Sequence, residues 1–376
     1  MQLSRYGLML FAFATVLLLG CATDGASVPA PMNLHFTLAR AVDRYKVCGA
    51  VVATVRDRKL EAVEASGGCE SLNPPRTDSV FQAASLGKPV FAYAVLKLVE
   101  QGRLALDTPV VTYLPNGYRR RFDPFGMSSD STTEQVTDVR LASVTVRMAL
   151  NHTSGLPNWS TGPIQFTNAP GATWQYSGEA YVLLQRALEA VTGSSLDQYM
   201  TEQVFKPLGM SSTSFVWEDR FERAFVPGTW SSGAPTSSRR LHVPVAAATL
   251  YTTAQDYGKF LAAVLGDGRL LAVITESAVP VEPRLDLSWG NGWGIERVGP
   301  ETYLWQWGNN PGYRSFVMAN PRIGSGFVLL TNSESGLALS EPIANAVLPG
   351  AHPVFRFRML RDGLSYVLCD ALSVCF

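Results

Sequence analysis

The sequence predicts an α+β fold: an antiparallel sheet flanked by helices, with a mainly helical region inserted between its strands. Three observations carry this. Gly49 to Val55 followed by Leu60 to Ala65 has the pattern of a β-hairpin. Four short aromatic and aliphatic segments between Gly294 and Thr331, separated by Gly, Pro and Asn, read as consecutive antiparallel strands. Between these ends the apolar residues recur at helical spacing. Strands at both ends with helices in the middle imply one sheet assembled from both halves of the chain. The 376 residues, 47% of them hydrophobic, suffice for one large core or for two domains sharing an interface.

Taken in order, the chain begins with Arg5 and an apolar stretch from Leu8 to Leu19. That stretch is shorter than the roughly 20 residues of a spanning helix, and residues 1–20 read as an export signal. Leu18-Leu19-Gly20-Cys21 has the form of a bacterial lipobox, in which Cys21 carries the lipid and becomes the mature N-terminus. An ordinary signal peptide with an incidental cysteine is the alternative. Residues 21–33 then form a flexible tether, 34–350 the folded domain, and 351–376 a tail. Within the domain, the sheet part covers about 34–84 and 245–350 and the helical part about 85–244. The expected location is the periplasmic side of a bacterial membrane, with the membrane as a partner through the lipid anchor.

Phe36 to Tyr45 reads as a helix, followed by the hairpin with a turn centred on Arg58-Lys59. That register sets Cys48 opposite Cys69, where an exported protein can oxidise them; two buried thiols are the other reading. Leu86 to Gln101 is a strong helix stopped by Gly102, and the polar stretch 116–140 reads as a long loop. A second good helix runs from Tyr181 to Thr192, ended by Gly193. Ser195 with Gln198 forms a capping box that opens a helix to about Phe205. Thr253 with Asp256 opens another through Leu265. The four late strands follow, then a helix from Leu337 to Leu348. In the tail, Phe355-Arg356-Phe357-Arg358 alternates like an edge strand, and Cys369 and Cys375 have no assigned pairing.

Composition excludes several function classes. Net charge is zero, charged residues are 16%, and no basic run exists, which argues against nucleic acid as a partner. There is no Gly-x-Ser-x-Gly elbow, no His-Glu-x-x-His and no phosphate-binding Gly-rich lysine motif. Four histidines leave little material for a Ser-His-Asp triad or a zinc site. What stands out is Ser85-Leu86-Gly87-Lys88 at the head of the first long helix. Residues three apart share a helix face, so the hydroxyl and amine can meet. Helix N-terminal N–H groups favour an oxyanion there. A serine needs a base, and lysine becomes one only where desolvation lowers its pKa. Of six lysines, Lys88 alone has a serine three residues before it.

Three further strings complete a pattern: Asn151-His152-Thr153-Ser154-Gly155-Leu156-Pro157, Pro170-Gly171 followed by Tyr176-Ser177-Gly178, and Lys206-Pro207-Leu208-Gly209-Met210. Together with the Ser-Lys pair they resemble the class C β-lactamase and penicillin-binding-protein superfamily, including its esterase and D-peptidase relatives, from about Phe36 to Leu348. The resemblance implies a β-lactamase/transpeptidase-like fold and makes Ser85 the acylated nucleophile, Lys88 its proton acceptor and Tyr176 a proton relay. It implies a small-molecule or peptide substrate (a β-lactam, a D-amino-acid peptide or a small ester) and no metal or organic cofactor. The His152 string resembles a structural turn. Two departures stand out. The second motif ends in Gly178 where the family commonly has Asn. The third motif aligns with Gln306-Trp307-Gly308, so a neutral amide replaces Lys or His. Gln306, Trp307, Gly308 and Gly178 are the expected substrate-binding positions, and the backbone N–H groups of Ser85 and Asn309 the expected oxyanion hole. Arg314, on the following strand, is read as bound to protein or solvent. The alternative function is a catalytically weakened penicillin-binding or scaffold lipoprotein.

Overall fold

The computed structural model describes residues 33–361, apart from 71, 128–131 and 238. Cys21, the signal and the tether up to residue 32, and Cys369 and Cys375 lie outside the described residues. Helix α1, Leu34–Tyr45, is capped by Asn33, whose side chain accepts from the Phe36 N–H, and ends at left-handed Lys46. It leads into strands β1, Gly49–Arg56, and β2, Lys59–Gly67. Their turn is Asp57-Arg58, both left-handed as a two-residue type I′ hairpin requires, and the register shifts at a bulge between Thr54 and Val55, before the turn. The turn therefore lies one residue earlier than predicted, and Gly68 stands beside Cys48 instead of Cys69. Cys48 and Cys69 are nonetheless joined by a disulfide.

Strand β3, Phe81–Ala84, runs directly into helix α2, Gly87–Glu100. Within the predicted loop 116–140 lies a small hairpin, β4, Tyr118–Arg121, and β5, Thr133–Val136. Its arginines hid it from a hydrophobicity reading. Helices α3, Val146–Leu150, α4, Gly178–Thr192, and α5, Leu196–Met200, follow. Ser195 caps α5 by accepting from the Gln198 N–H. Strand β6, Leu250–Thr252, pairs with β3 away from the main sheet. Helix α6, Ala254–Gly266, starts at the Thr253 cap, and α7, Gly268–Thr275, was not anticipated. Neither were β7, Val279–Glu282, and β8, Leu287–Trp289, which are too short to show a period. Strands β9, Gly294–Val298, β10, Glu301–Asn310, β11, Tyr313–Asn320, and β12, Ser325–Thr331, form the predicted meander. Helix α8 is Ser340–Val347.

The main sheet has the order β2-β1-β12-β11-β10-β9-β8-β7, all neighbours antiparallel. Its central strands are buried on both faces, so they read as continuous apolar runs. By the two-residue alternation of a strand, Val51, Ala53, Val317 and Leu330 face α2, α4 and α6. Val52, Phe316, Met318 and Leu329 face α1 and α8. The tail does not form the predicted edge strand. Pro353–Arg356 is a single tight turn, and Val354, Phe357 and Leu360 are buried at a spacing of three. Helical spacing toward the core overrides the Phe-Arg alternation.

Candidate active site

Ser85 occupies the turn between β3 and α2, just after Ala84, which is held at a left-handed φ of 51°. The Lys88 N–H donates to the Ser85 carbonyl at 3.0 Å, which starts the helix. That geometry returns the Lys88 side chain to the serine. Lys88 Nζ lies 3.0 Å from Ser85 Oγ and donates to the Ala247 carbonyl at 2.9 Å. The amine is fully buried, 4.6 Å from the centre of the Tyr176 ring and 5.6 Å from that of Tyr181. Burial lowers its pKa from 10.5 to about 7, because the apolar surroundings penalise the ammonium form.

Tyr176 is buried, and burial holds its phenol protonated well above its ordinary range, although hydrogen bonds with Ser85 and Gln306 work the other way. The phenol oxygen accepts from Gln306 Nε2 at 3.0 Å. The same amide nitrogen donates to the Ser85 carbonyl at 3.1 Å. Gln306 is therefore fully buried beneath the nucleophile, with both amide hydrogens used, and does not face substrate as expected from its alignment. Trp307, on the opposite face of β10, is also packed: its ring stands 4.9 Å from Tyr176 and 5.7 Å from Trp305. Gly178 opens α4, and a Cβ there would stand 2.6 Å from the Trp159 ring and 2.8 Å from the Asn158 carbonyl. That position lies under a loop and cannot present a side chain to substrate.

Gly308 does what its lack of a side chain allows. A Cβ there would sit 2.4 Å from the Ala83 carbonyl, so glycine lets β10 press against β3 beside Ser85. Asn310 pairs with Tyr313 around the two-residue turn Pro311-Gly312. By ladder alternation, the Asn309 N–H then points away from β11. Strand β9 ends opposite Trp305, so among the described residues no strand covers that edge. The Asn309 N–H is available there, near the helix start that carries Ser85. Arg314 is buried and donates to the Asn310 and Tyr313 carbonyls, so it holds protein, not a substrate carboxylate.

His152 is buried at a left-handed φ of 63°, and its Nδ1 accepts from the Ser177 N–H at 3.1 Å. Burial and the nearby Lys88 hold its pKa well below 6.5, so it is a neutral ring. It fixes the loop that delivers Tyr176. Sequence reasoning named Trp307 as a substrate-binding position but did not find the aromatic wall that it forms behind Tyr176 with Trp174, Trp289 and Trp305. The signal was present in the spacing of two that links Trp174 to Tyr176 and Trp305 to Trp307. Nor did it find Arg120, which is buried and bonds Glu179, Glu134 and the carbonyls of Ser160 and Gly162, all at 2.8 Å. This clamp holds the Trp159 loop over Gly178.

A family model described as Beta-lactamase matches residues 37–348. Esterase EstB of Burkholderia gladioli is 31% identical over 250 residues, covering 57% of this chain and 58% of the esterase. Penicillin-binding protein 4 of Amycolatopsis lactamdurans is 28% identical over 302 residues, covering 70% of this chain and 74% of that protein. Among solved structures, D-alanine carboxypeptidase AmpC from Burkholderia cenocepacia superposes with a TM-score of 0.69 at 19% identity, over 84% of this chain and 97% of its own. The D-amino acid amidase from Ochrobactrum anthropi SV3 gives 0.65 at 22% identity, over 90% of this chain and 97% of its own. The fold is thus the β-lactamase/transpeptidase-like one, an antiparallel sheet with helices.

Proposed function

The chain belongs to the Beta-lactamase family, and on that premise we propose that it is a serine hydrolase that opens an ester or amide carbonyl through an acyl-enzyme on Ser85. The observation that carries this is the buried Lys88 amine, 3.0 Å from Ser85 Oγ with a pKa of about 7. In its neutral form Lys88 takes the Ser85 proton as Oγ bonds to the carbonyl carbon. The oxyanion rests on the backbone N–H groups of Ser85 and Asn309. Tyr176 gives its proton to the leaving group and recovers one from the Lys88 ammonium. Water then attacks the acyl carbon, its proton passes to the Tyr176 and Lys88 pair, and Ser85 is released with its hydroxyl restored.

The surroundings favour a partly apolar substrate. Gln306 is committed to Ser85 and Tyr176, and Arg314 to backbone carbonyls, so neither is offered to a carboxylate. A cavity of about 560 Å³ is lined by the apolar Phe122, Phe125, Met127 and Trp159 together with the charged Asp123 and Arg239. Trp159 lies against Gly178, two residues past Tyr176, and the Arg239 carbonyl accepts from Gln82, three residues before Ser85. These features support esters above β-lactams or D-amino-acid peptides, as does the likeness to an esterase. The second reading, a penicillin-binding or scaffold protein with weakened catalysis, is motivated by the two altered motif positions.

The test uses the soluble protein from residue 22 onward and its Ser85→Ala variant. A short-chain nitrophenyl ester, a chromogenic cephalosporin and a fluorescent penicillin are offered to each. Turnover of the ester, lost by a factor of about 10³ or more in Ser85→Ala, is the expected result. Turnover unchanged by the substitution overturns the mechanism. Stable penicillin labelling without turnover supports the second reading.

A further inference from the structure

The family match ends at residue 348, yet the chain continues over the aromatic wall behind Tyr176. His352 pins the start of this extension. Its Nδ1 lies 2.9 Å from Glu296 Oε2 and its Nε2 lies 2.7 Å from the Leu348 carbonyl. The Leu348 carbonyl can only accept, so Nε2 carries a hydrogen, and against the desolvation of burial the Glu296 carboxyl and that carbonyl raise the ring's pKa above its ordinary value. Glu296 is fully buried and its other oxygen accepts from the Val354 N–H at 2.7 Å. The segment is thereby tied to β9, next to the strand that carries Gln306 and Trp307.

Phe357 is then directed inward. Its ring centre lies 5.8 Å from Trp305, 6.2 Å from Trp174 and 6.3 Å from Trp307, and the side chain is buried. Trp307 and Trp174 are themselves packed against Tyr176, at 4.9 and 6.4 Å. Tyr176 reaches Ser85 from a loop, so its position depends on the rings behind it. We propose that Phe357, within this C-terminal extension, is a positioning residue of the active site that holds Tyr176 against Ser85 through Trp174 and Trp307. The proposal rests on the serine-hydrolase reading above. It adds a requirement that this reading does not contain: the site is incomplete without Phe357, which lies beyond the family match.

The test compares Phe357→Ala, Phe357→Tyr and Phe355→Ala in the protein from residue 22 to 376. Phe355 belongs to the same extension, but its ring contacts among the described residues are with Phe316 and His352. Three quantities are read: the rate of Ser85 labelling by an uncharged fluorophosphonate, kcat and KM for a nitrophenyl ester, and the melting temperature. Phe357→Ala is expected to lower labelling and kcat at least about tenfold with KM within about threefold, and Phe357→Tyr to restore most of the loss. Phe355→Ala should lower the melting temperature while leaving both rates near wild type. Equal loss in both alanine variants, or full rates in Phe357→Ala, overturns the proposal. To separate its failure from that of the hydrolase reading, the protein is also made with 3-fluorotyrosine, and the Tyr176 resonance is assigned with Tyr176→Phe. That resonance should move in Phe357→Ala and not in Phe355→Ala, even if the wild type takes no label. An unmoved resonance again overturns the proposal.

Discussion

Lys88 has its amine enclosed by two tyrosine rings, a serine hydroxyl and a carbonyl, and its titration sets the expected pH dependence. Only the neutral amine can accept the Ser85 proton, so labelling of Ser85 by an uncharged fluorophosphonate should rise with pH through about 7 and level off above it. A flat profile between pH 5 and 9 would remove Lys88 from that role. The same group costs stability. Between pH 7 and 10.5 the unfolded chain binds a proton that the folded chain does not, so the fold gains stability as pH rises through that range. Lys88→Met should therefore abolish labelling and yet raise the melting temperature at pH 7, reported by calorimetry. Ser85, Lys88 and Tyr176 were legible in the sequence because helix spacing and motif order place their backbones. The orientation of Gln306 was not. Nothing in Gln-Trp-Gly says which face of β10 turns inward, and the structure uses both amide hydrogens of Gln306 below the nucleophile. Gly178 was legible as a departure but not as a packing site, since the ring that fills its space comes from Trp159, nineteen residues earlier.

At the scale of elements, the hairpin of β4 and β5 shows how a charged strand can anchor a neutral site. Arg120 is buried in it, and its guanidinium joins two glutamates and two carbonyls from the loop over Gly178. Removing one member of such a buried network leaves the others unpaired, at a cost of about 3–5 kcal/mol. Arg120→Ala is expected to lower the denaturant midpoint accordingly and to increase proteolysis within 158–164. Unchanged stability would mean that the network is not formed. This hairpin was read as loop because Arg119, Arg120 and Arg121 mimic a solvent-facing stretch. The first hairpin was legible in its strands but misplaced by one residue, since Asp57 and Arg58 take the left-handed conformation usually given to Gly or Asn. The meander from β9 to β12 was clear because it is long, apolar and punctuated by turns. In the tail, the pattern Phe-Arg-Phe-Arg pointed to a strand, but the aromatic wall offers a surface that a turn meets better.

For the whole molecule, the remaining expectation concerns export. The disulfide between Cys48 and Cys69 supports an oxidising compartment, and the Leu-Leu-Gly-Cys string supports a lipid at Cys21. Expressed with its leader in a bacterial host, the full chain should take up radiolabelled palmitate and sediment with membranes, and Cys21→Ser should lose both. Label retained by Cys21→Ser would reject that anchor. The order of the sheet has a consequence in time. Strand β1 lies between β2 and β12, and Ala50 pairs with Thr331. A ribosome must therefore add roughly 280 further residues before β1 finds its second neighbour, a separation that slows folding. During that interval one edge of an apolar strand, Val51 to Val55, has no native mate and is open to pairing with another chain. The Cys48–Cys69 bond closes around the hairpin without needing β12. It can therefore fix β1 to β2 early and keep the register intact until the C-terminal strands arrive.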